Sequence, residues 1–205
     1  MPHAEIENEA KKNGYINILG IDEAGRGPLA GPVVSAALLL DQKYLEGNPL
    51  GLQDSKILTF RQRQRLFKNL IYSKSIFGIG FSTHDEIDKF GIVECTKLSM
   101  TRAISSCKIK PDLMIVDSIK LEYESTQCVS LDKADSISVS VAGASIIAKV
   151  VRDNMMIRIY KYLYPDYFLE ANKGYGSKLH IEAIKSCGIS RIHRKSFKPI
   201  STMTL

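Results

Sequence analysis

Acidic residues follow two apolar segments of the sequence and are the first candidates for chemistry. Asp22 and Glu23 come directly after the run 15–21, and Asp117 closes the run 112–117, DLMIVD. Both runs have the short, apolar, β-branched composition of buried strands. Because α/β sheets usually bind ligands at the carboxyl ends of their strands, we expect these carboxylates to meet if the two strands are neighbours.

Grouped carboxylates indicate a metal site. They repel one another, so their grouping is costly unless a hard cation such as Mg²⁺ neutralises them. Asp135, before a long helical segment, and Asp153, within it, are further acids that could face the same cleft. Two carboxylate-held cations can activate water and stabilise a leaving oxygen, which is the chemistry of phosphodiester hydrolysis. Taken singly, each acid is more often a helix cap, a turn residue or half of an ion pair.

Basic residues are concentrated near the carboxyl end. The 205 residues carry a formal net charge of +6 and the pI is about 9.1. The segment 172–205 holds seven Lys and Arg residues, with Glu182 as its only acid. This bias favours a polyanionic partner such as nucleic acid, but a solvated basic tail explains the charge equally well.

A glycine-rich loop, with Gly25, Arg26, Gly27 and Gly31, follows the first predicted strand. Its spacing is a loose relative of a dinucleotide-binding turn. That turn opens a helix and receives a pyrophosphate, whereas the segment 32–40 has the composition of another strand and the preceding acids would repel a pyrophosphate. A loop whose backbone closely approaches a sugar and a phosphate fits better.

The remaining pattern predicts an α/β fold with a mixed sheet. Strands are predicted over 15–21, 33–40, 76–81 and 112–117, and helices over 59–72, 92–106, 138–163 and 177–187. No repeat, low-complexity block or linker marks a boundary, so 1–205 is predicted to be one domain. Its α/β core would cover about 15–165, and a helical, substrate-contacting part about 166–205.

Cysteine usage and the amino-terminal region favour a cytoplasmic protein. Cys95, Cys107, Cys128 and Cys187 form no CxxC pair and no zinc-like spacing with His, so we expect all four to be buried small hydrophobes. The first 14 residues are polar where a secretion signal needs an apolar run, and no segment has the apolar length to span a bilayer. A monomer without a membrane partner is the simplest expectation.

The segment 20–34, GIDEAGRGPLAGPVV, closely resembles the amino-terminal signature of the ribonuclease HII family. Further matches follow in family order, and together they span about 20–197. They are DSKILT (54–59), IVDS (115–118), KADS (133–136), AGASIIAKVVRD (142–153), NKGYGSKLH (172–180) and HRKSF (193–197). The resemblance implies a ribonuclease H-like fold with a mixed five-stranded sheet flanked by helices and a helical C-terminal part.

The resemblance also implies an activity and its metal ligands. Family members cleave the RNA strand of RNA/DNA hybrids, including single ribonucleotides in duplex DNA, on the 5′ side, leaving 3′-hydroxyl and 5′-phosphate ends during ribonucleotide removal. Asp153 leaves the candidate set and takes a structural role beside Arg152 at the helix surface. Four acids hold Mg²⁺ or Mn²⁺ ions in the family, and the matching positions are Asp22, Glu23, Asp117 and Asp135.

Substrate contacts are implied in the same way. The loop Gly25, Arg26 and Gly27 is expected to contact the ribonucleotide 2′-hydroxyl and its phosphates, and Tyr175 to stack on the deoxyribose that follows. A backbone loop against the 2′-hydroxyl is physically sensible because this group distinguishes the two sugars. Phosphate contacts are expected from Lys56, Lys149, Arg194, Lys195 and Ser196.

Two other functions stay open from the sequence. A different nuclease of the same general fold would share the carboxylates without needing the glycine loop beside Tyr175. A non-catalytic nucleic-acid-binding module would bind regardless of chelator and yield no product. The intact set of four acids argues against the second alternative.

Overall fold

A mixed sheet forms the centre of the computed structural model. The structure describes residues 1–45, 48 and 50–203, and in this part of the chain five strands form one sheet in the order β3-β2-β1-β4-β5. The neighbours β1, β2 and β3 pair antiparallel, whereas β4 and β5 run parallel to β1. The strands are β1 Ile18–Ala24, β2 Val33–Leu39, β3 Ile76–Ser82, β4 Leu113–Asp117 and β5 Gln127–Leu131. The expected mixed five-stranded sheet is confirmed.

Helices cover both faces of this sheet. They are α1 Glu5–Lys12, α2 Phe60–Ile71, α3 His84–Phe90, α4 Ile92–Ser106, α5 Val139–Met155, α6 Lys161–Leu163, α7 Leu169–Asn172 and α8 Lys178–Cys187. One buried cluster joins Leu38 of β2 to α2 and α5, and another joins Ile21 of β1 to α4. Neighbouring residues of a strand point to opposite faces, so one sheet serves both clusters.

Local capping explains where several helices begin. The side chain of Thr59 accepts a hydrogen bond from the backbone N–H of Gln62, while the Gln62 side chain accepts one from the backbone N–H of Thr59. Thr83 and Glu86 form the same box at the start of α3. These reciprocal bonds satisfy N–H groups that a helix start leaves free. The predicted helix over 59–72 is confirmed as Phe60–Ile71.

The first strand continues further than the sequence pattern indicated. Asp22 and Glu23 lie within β1 rather than after it, because β1 still pairs with β2 there, with Asp22 opposite Ala36 and Glu23 opposite Ser35. The parallel pairing of β1 with β4 ends at Ile21, one residue before Asp22. Both acids therefore project from a backbone that is held on one side.

The long helix that the sequence predicts before the C-terminal part is interrupted. Instead of one helix over 138–163, α5 ends at Met155, a π-helical turn covers Met156–Tyr160, and α6 follows. The wider turn changes which side chains face inward. Met156 is buried, whereas Ile157 is only partly buried.

Several elements and two cysteines differ from expectation. The helices α1, α3 and α7 and the strand β5 were not predicted; α1 is polar, and β5 is a partly exposed edge strand. Cys187, at the end of α8, is exposed and Cys128, in β5, is only partly buried, so the prediction of four buried cysteines is wrong for these two. Among the described residues, no helix combines the length and the apolar character needed to cross a membrane.

Candidate active site

Asp22 and Asp117 lie side by side at the point where the parallel pairing of β1 with β4 ends. The register matches Ile21 with Val116, so the next residue of each strand is one of these acids. Asp22 is buried, and its Oδ1 accepts a 2.7 Å hydrogen bond from the backbone N–H of Glu23. The hydroxyl of Ser145 on α5 is hydrogen-bonded to that of Ser55 at 2.9 Å and lies near Asp22. The sequence reasoning gave Ser145 no role, although it lies in the matched segment 142–153.

A short turn places Asp135 near the same end of these two strands. It lies in the 3₁₀ turn Ala134–Ser136, where it is buried. The backbone N–H of Ala134 donates a 2.7 Å hydrogen bond to Oδ1 of Asp117. This bond ties the turn that carries Asp135 to the end of β4.

The four acids interact electrostatically. Burial raises the pKa of Asp22 well above its ordinary value, and the charges of Glu23 and Asp117 raise it further. Burial also raises the pKa of Glu23 and of Asp135, and in both cases the charge of Asp117 adds to the rise. Asp117 is thus within electrostatic range of the other three acids, and the group repels itself.

Two cations stand beside these acids. Lys56 Nζ lies 3.5 Å from Oδ2 of Asp135, and Arg26 Nη1 lies 3.5 Å from Oε1 of Glu23. Both distances are long for charge-assisted hydrogen bonds. Burial alone would lower the pKa of Lys56, but the surrounding acids, Asp135 foremost, outweigh it and raise that pKa. The predicted phosphate ligand Lys56 is therefore paired with an acid, although its side chain remains 74% exposed.

The acidic group has the chemistry that a hard divalent cation requires. Oε2 of Glu23 is buried and has no hydrogen-bond partner among the described residues. An unpartnered carboxylate oxygen among like charges gains most from a cation. In the same part of the chain, no three acidic, histidine or cysteine side chains already stand at the mutual spacing of a complete metal site. The residues fit Mg²⁺ or Mn²⁺ by donor type.

Asp22→Asn should stabilise the metal-free protein. A buried carboxylate with a raised pKa opposes folding above its unfolded-state pKa, so removal of its charge should raise the free energy of unfolding at pH 7 by about 1 to 2 kcal/mol. Urea denaturation in the presence of a chelator measures this. Asp132→Asn, at an exposed acid, is the control and should change stability little. A loss of stability in Asp22→Asn would contradict the repulsion described above.

Two glycines of the loop have different surroundings. Gly25 has φ +99°, and a Cβ built there would overlap the Arg152 side chain and lie 2.8 Å from the carbonyl oxygen of Pro32. A Cβ at Gly27 would meet no atom of the described residues within 4 Å, and Gly27 is exposed. Protein packing therefore requires glycine at position 25 but not at position 27.

Arg194 has a different role from the predicted one. It is fully buried, and its guanidinium donates to the carbonyl oxygens of Gly31 (3.0 Å from Nε), Arg26 (2.9 Å from Nη1) and Gly25 (2.7 Å from Nη2). Burial, reinforced by the charge of Arg152, lowers the pKa of Arg194 to about 9, so it stays protonated at neutral pH. The prediction of a phosphate contact is wrong because this side chain has no exposed surface.

Lys195 and Ser196 lie beside an acid of α3 that the sequence reasoning did not single out. Their backbone N–H groups each donate a 2.9 Å hydrogen bond to Asp88, and the Ser196 hydroxyl donates a third of 2.6 Å. The Ser196 hydroxyl is therefore already bonded, whereas Lys195 is exposed.

Tyr175 lies next to the glycine loop. The backbone N–H of Leu29 donates a 2.8 Å hydrogen bond to the carbonyl of Gly174, and the Tyr175 side chain is 42% exposed. Lys149 Nζ is 5.4 Å from the centre of the Tyr175 ring and also pairs with Asp153 at 2.9 Å. The structure thus brings the predicted residues Lys149 and Tyr175 together.

Arg152 and Asp153 are not surface residues. Both are buried, and Asp153 pairs with Lys149 rather than with Arg152. The predicted position of this pair at the helix surface is therefore wrong. The reason is the contact of α5 with the glycine loop, which covers this end of the helix.

Two buried histidines support the Tyr175 turn. The backbone N–H of Ser190 donates to Nδ1 of His193, the two Nε2 atoms of His193 and His180 lie 3.1 Å apart, and Nδ1 of His180 lies 2.9 Å from the carbonyl of Tyr175. Because His193 accepts at Nδ1, its Nε2 carries the proton and donates to His180, whose Nδ1 donates to Tyr175. This chain exists only while both rings are neutral.

The stability of the protein should fall in mild acid through His193. Burial, with the charge of His180, lowers the folded-state pKa of His193 to about 4, below the unfolded value of about 6.5. The unfolded state therefore binds more protons between these values, and stability is lost as the pH falls. From pH 7 to pH 5 we expect His193→Gln to lose about 2 kcal/mol less than the wild-type protein, measured by urea denaturation. Equal losses would contradict a neutral buried ring.

Comparison with known proteins identifies the family of this chain. A family model described as Ribonuclease HII matches residues 19–200. The ribonuclease HII of Desulfitobacterium hafniense (strain Y51) is 43% identical over 194 residues, covering 95% of this chain and 73% of the relative. That of Acetivibrio thermocellus is 49% identical over 193 residues, covering 93% and 73%. The crystal structure of ribonuclease H2 from Pyrococcus horikoshii OT3 has a TM-score of 0.76 at 31% identity, covering 91% of this chain and 96% of that one. The chain therefore belongs to the ribonuclease HII family and is a ribonuclease H, a hydrolase that cleaves RNA in RNA/DNA hybrids.

Proposed function

We propose that this ribonuclease H recognises single ribonucleotides embedded in duplex DNA as well as longer hybrids. It cuts on the 5′ side of the ribonucleotide, leaves 3′-hydroxyl and 5′-phosphate ends, and serves to remove ribonucleotides from DNA. The observation that carries this proposal is the open, exposed position Gly27, which lies in the loop directly after the acids of β1.

The catalytic part of the proposal uses the acidic group. The residues that would hold divalent ions, Mg²⁺ or Mn²⁺, are Asp22, Glu23, Asp117 and Asp135. When bound, two such ions supply an activated water and stabilise the leaving oxygen. The chain contributes fixed carboxylates: Asp22 accepts a hydrogen bond from the N–H of Glu23, and Asp117 accepts one from the N–H of Ala134. This preorganisation avoids a conformational cost during the reaction.

The recognition part uses the loop and the tyrosine. Arg26 and Gly27 are exposed, and glycine at position 27 leaves room for close approach of a 2′-hydroxyl and its phosphates. Tyr175 offers a half-exposed ring for the deoxyribose that follows. A hydrogen bond from the Leu29 N–H to the Gly174 carbonyl joins the loop to the Tyr175 turn. The loop and Tyr175 therefore act at a fixed separation.

Phosphate contacts are proposed for the exposed cations. Lys195 has an exposed side chain, and Lys56 is exposed although paired with Asp135. Lys149 lies between Asp153 and the Tyr175 ring, where it would reach a phosphate next to the stacked sugar. Contacts of this kind fix the register of a duplex without reading its sequence.

A defined substrate tests the proposal. A labelled DNA duplex with one ribonucleotide should be cut at one phosphate, on the 5′ side of that ribonucleotide, and a chelator should stop the reaction. The matched all-DNA duplex should stay intact. Cleavage of the all-DNA duplex or of single-stranded RNA at equal rates would favour a different nuclease of this fold. Chelator-insensitive binding without product would favour a binding module.

A further inference from the structure

Two fully buried arginines stand behind the glycine loop. Arg194 bonds only loop carbonyls, and Arg152 donates to the carbonyl oxygens of Pro32 (3.0 Å), Lys173 (3.1 Å) and Ala30 (3.2 Å). In the part of the chain that the structure describes, neither forms a salt bridge with an acid. Buried cations without acidic partners are costly and call for an explanation.

The contacts of Arg194 determine the direction of two peptide groups. In a planar trans peptide, the C=O and the following N–H point in opposite directions. Arg194 holds the carbonyls of Gly25 and Arg26 toward the interior, so the N–H groups of Arg26 and Gly27 point toward the exposed side of the loop. Neither N–H has a protein acceptor among the described residues. Two adjacent N–H groups that face outward can both donate to an oxygen ligand.

The contacts of Arg152 join the glycine loop to the turn that carries Tyr175. One guanidinium bonds the loop at Ala30 and Pro32 and the Tyr175 turn at Lys173. The same guanidinium lies 5.7 Å from the centre of the Tyr175 ring. Arg152 therefore spans the gap between the loop and the tyrosine, and its length and planarity set their separation.

We propose that Arg194 and Arg152 are positioning residues for substrate selection: Arg194 turns the N–H groups of Arg26 and Gly27 toward the ribonucleotide, and Arg152 sets the spacing from that loop to Tyr175. The inference rests on the proposed function. Arginine is required at both positions because a planar fork of five donors can hold three carbonyls at once, whereas a lysine ammonium cannot reproduce that geometry.

The first test compares Arg194→Lys with Arg191→Lys, a matched change at an exposed arginine three residues away. We expect kcat/KM on the single-ribonucleotide duplex to fall at least about 100-fold in Arg194→Lys. Mn²⁺ binding and the fraction of folded protein should stay unchanged. Arg191→Lys should cleave like the wild-type protein. Equal activity of the two variants would overturn the inference while leaving the proposed function intact, whereas wild-type protein that cannot cut this duplex would overturn both.

The second test separates positioning from a merely structural role. Arg194→Ala should regain activity when methylguanidinium is added but not when methylammonium is added. Arg152→Lys should lower kcat/KM more on the single-ribonucleotide duplex, where Tyr175 would contact a deoxyribose, than on a continuous RNA/DNA hybrid. Absence of rescue, or equal losses on the two substrates, would overturn the inference.

A third measurement does not depend on whether the arginine variants fold. In an Asp117→Asn protein labelled with ¹⁵N, the amide resonances of Arg26 and Gly27 should shift when the single-ribonucleotide duplex is added. They should shift much less with the matched all-DNA duplex. Equal shifts with both duplexes would show that these N–H groups do not read the ribonucleotide.

Discussion

Asp117→Asn is expected to lower the rate of hybrid cleavage by about 1000-fold or more, which corresponds to roughly 4 kcal/mol of lost transition-state stabilisation. Asp117 is the acid whose charge raises the pKa of Asp22, Glu23 and Asp135, so it stands centrally in the group. Asparagine preserves the shape and the oxygen that accepts from Ala134 N–H, but removes the charge that attracts a cation. Single-turnover cleavage of a labelled hybrid measures the effect.

Binding of the hybrid should survive this change. The proposed substrate contacts lie on the glycine loop, Tyr175 and the exposed lysines, so the affinity measured by fluorescence anisotropy should stay within a few-fold of the wild-type value. Asp132→Asn, an exposed acid just after β5, is the control and should cleave normally. Near-normal turnover of Asp117→Asn would remove this residue from the catalytic group.

Gly27→Ala and Gly25→Ala should separate function from stability. Gly27→Ala adds a methyl group into open space, so the free energy of unfolding should change by less than about 0.5 kcal/mol. Cleavage of the single-ribonucleotide duplex should nevertheless fall by about 100-fold, because the methyl group would occupy the surface that the sugar approaches. Steady-state kinetics and urea denaturation on the same preparation give both numbers.

For Gly25→Ala we expect a loss of stability, and any loss of cleavage should follow from that loss. Its methyl group would collide with Arg152, and its positive φ disfavours any side chain, so we expect a loss of about 2 to 4 kcal/mol in the free energy of unfolding. If Gly27→Ala cleaves like the wild-type protein, position 27 does not face the substrate.

Local signals in the sequence were sufficient for much of the fold. The capping box at Thr59 and the N-cap Ser177 act within a few residues of themselves, so the helices predicted over 59–72 and 177–187 agree closely with α2 and α8. The extent of β1 was underestimated because its last residues are polar and are held by β2, a partner that the local pattern does not reveal. The π-helical turn after α5 also lacked a local signal.

The candidate site was predictable to a similar degree. The acids and the loop could be identified because their segments match a family signature, but their supporting residues could not. Arg194 is a cation in a basic segment, and the sequence alone therefore suggests a phosphate contact. It is buried because it donates to the carbonyls of Gly25 and Arg26, more than 160 residues earlier in the chain. Ser145 and Arg152 likewise act through contacts between distant segments. Burial of this kind depends on tertiary structure, which composition and periodicity do not contain.

Diffraction from crystals that contain Mn²⁺, measured at the manganese absorption edge, tests whether the four acids together hold the metal. We expect anomalous density for two ions, about 3.5 to 4 Å apart, between Asp22, Glu23, Asp117 and Asp135. Density located only away from these four carboxylates would contradict it.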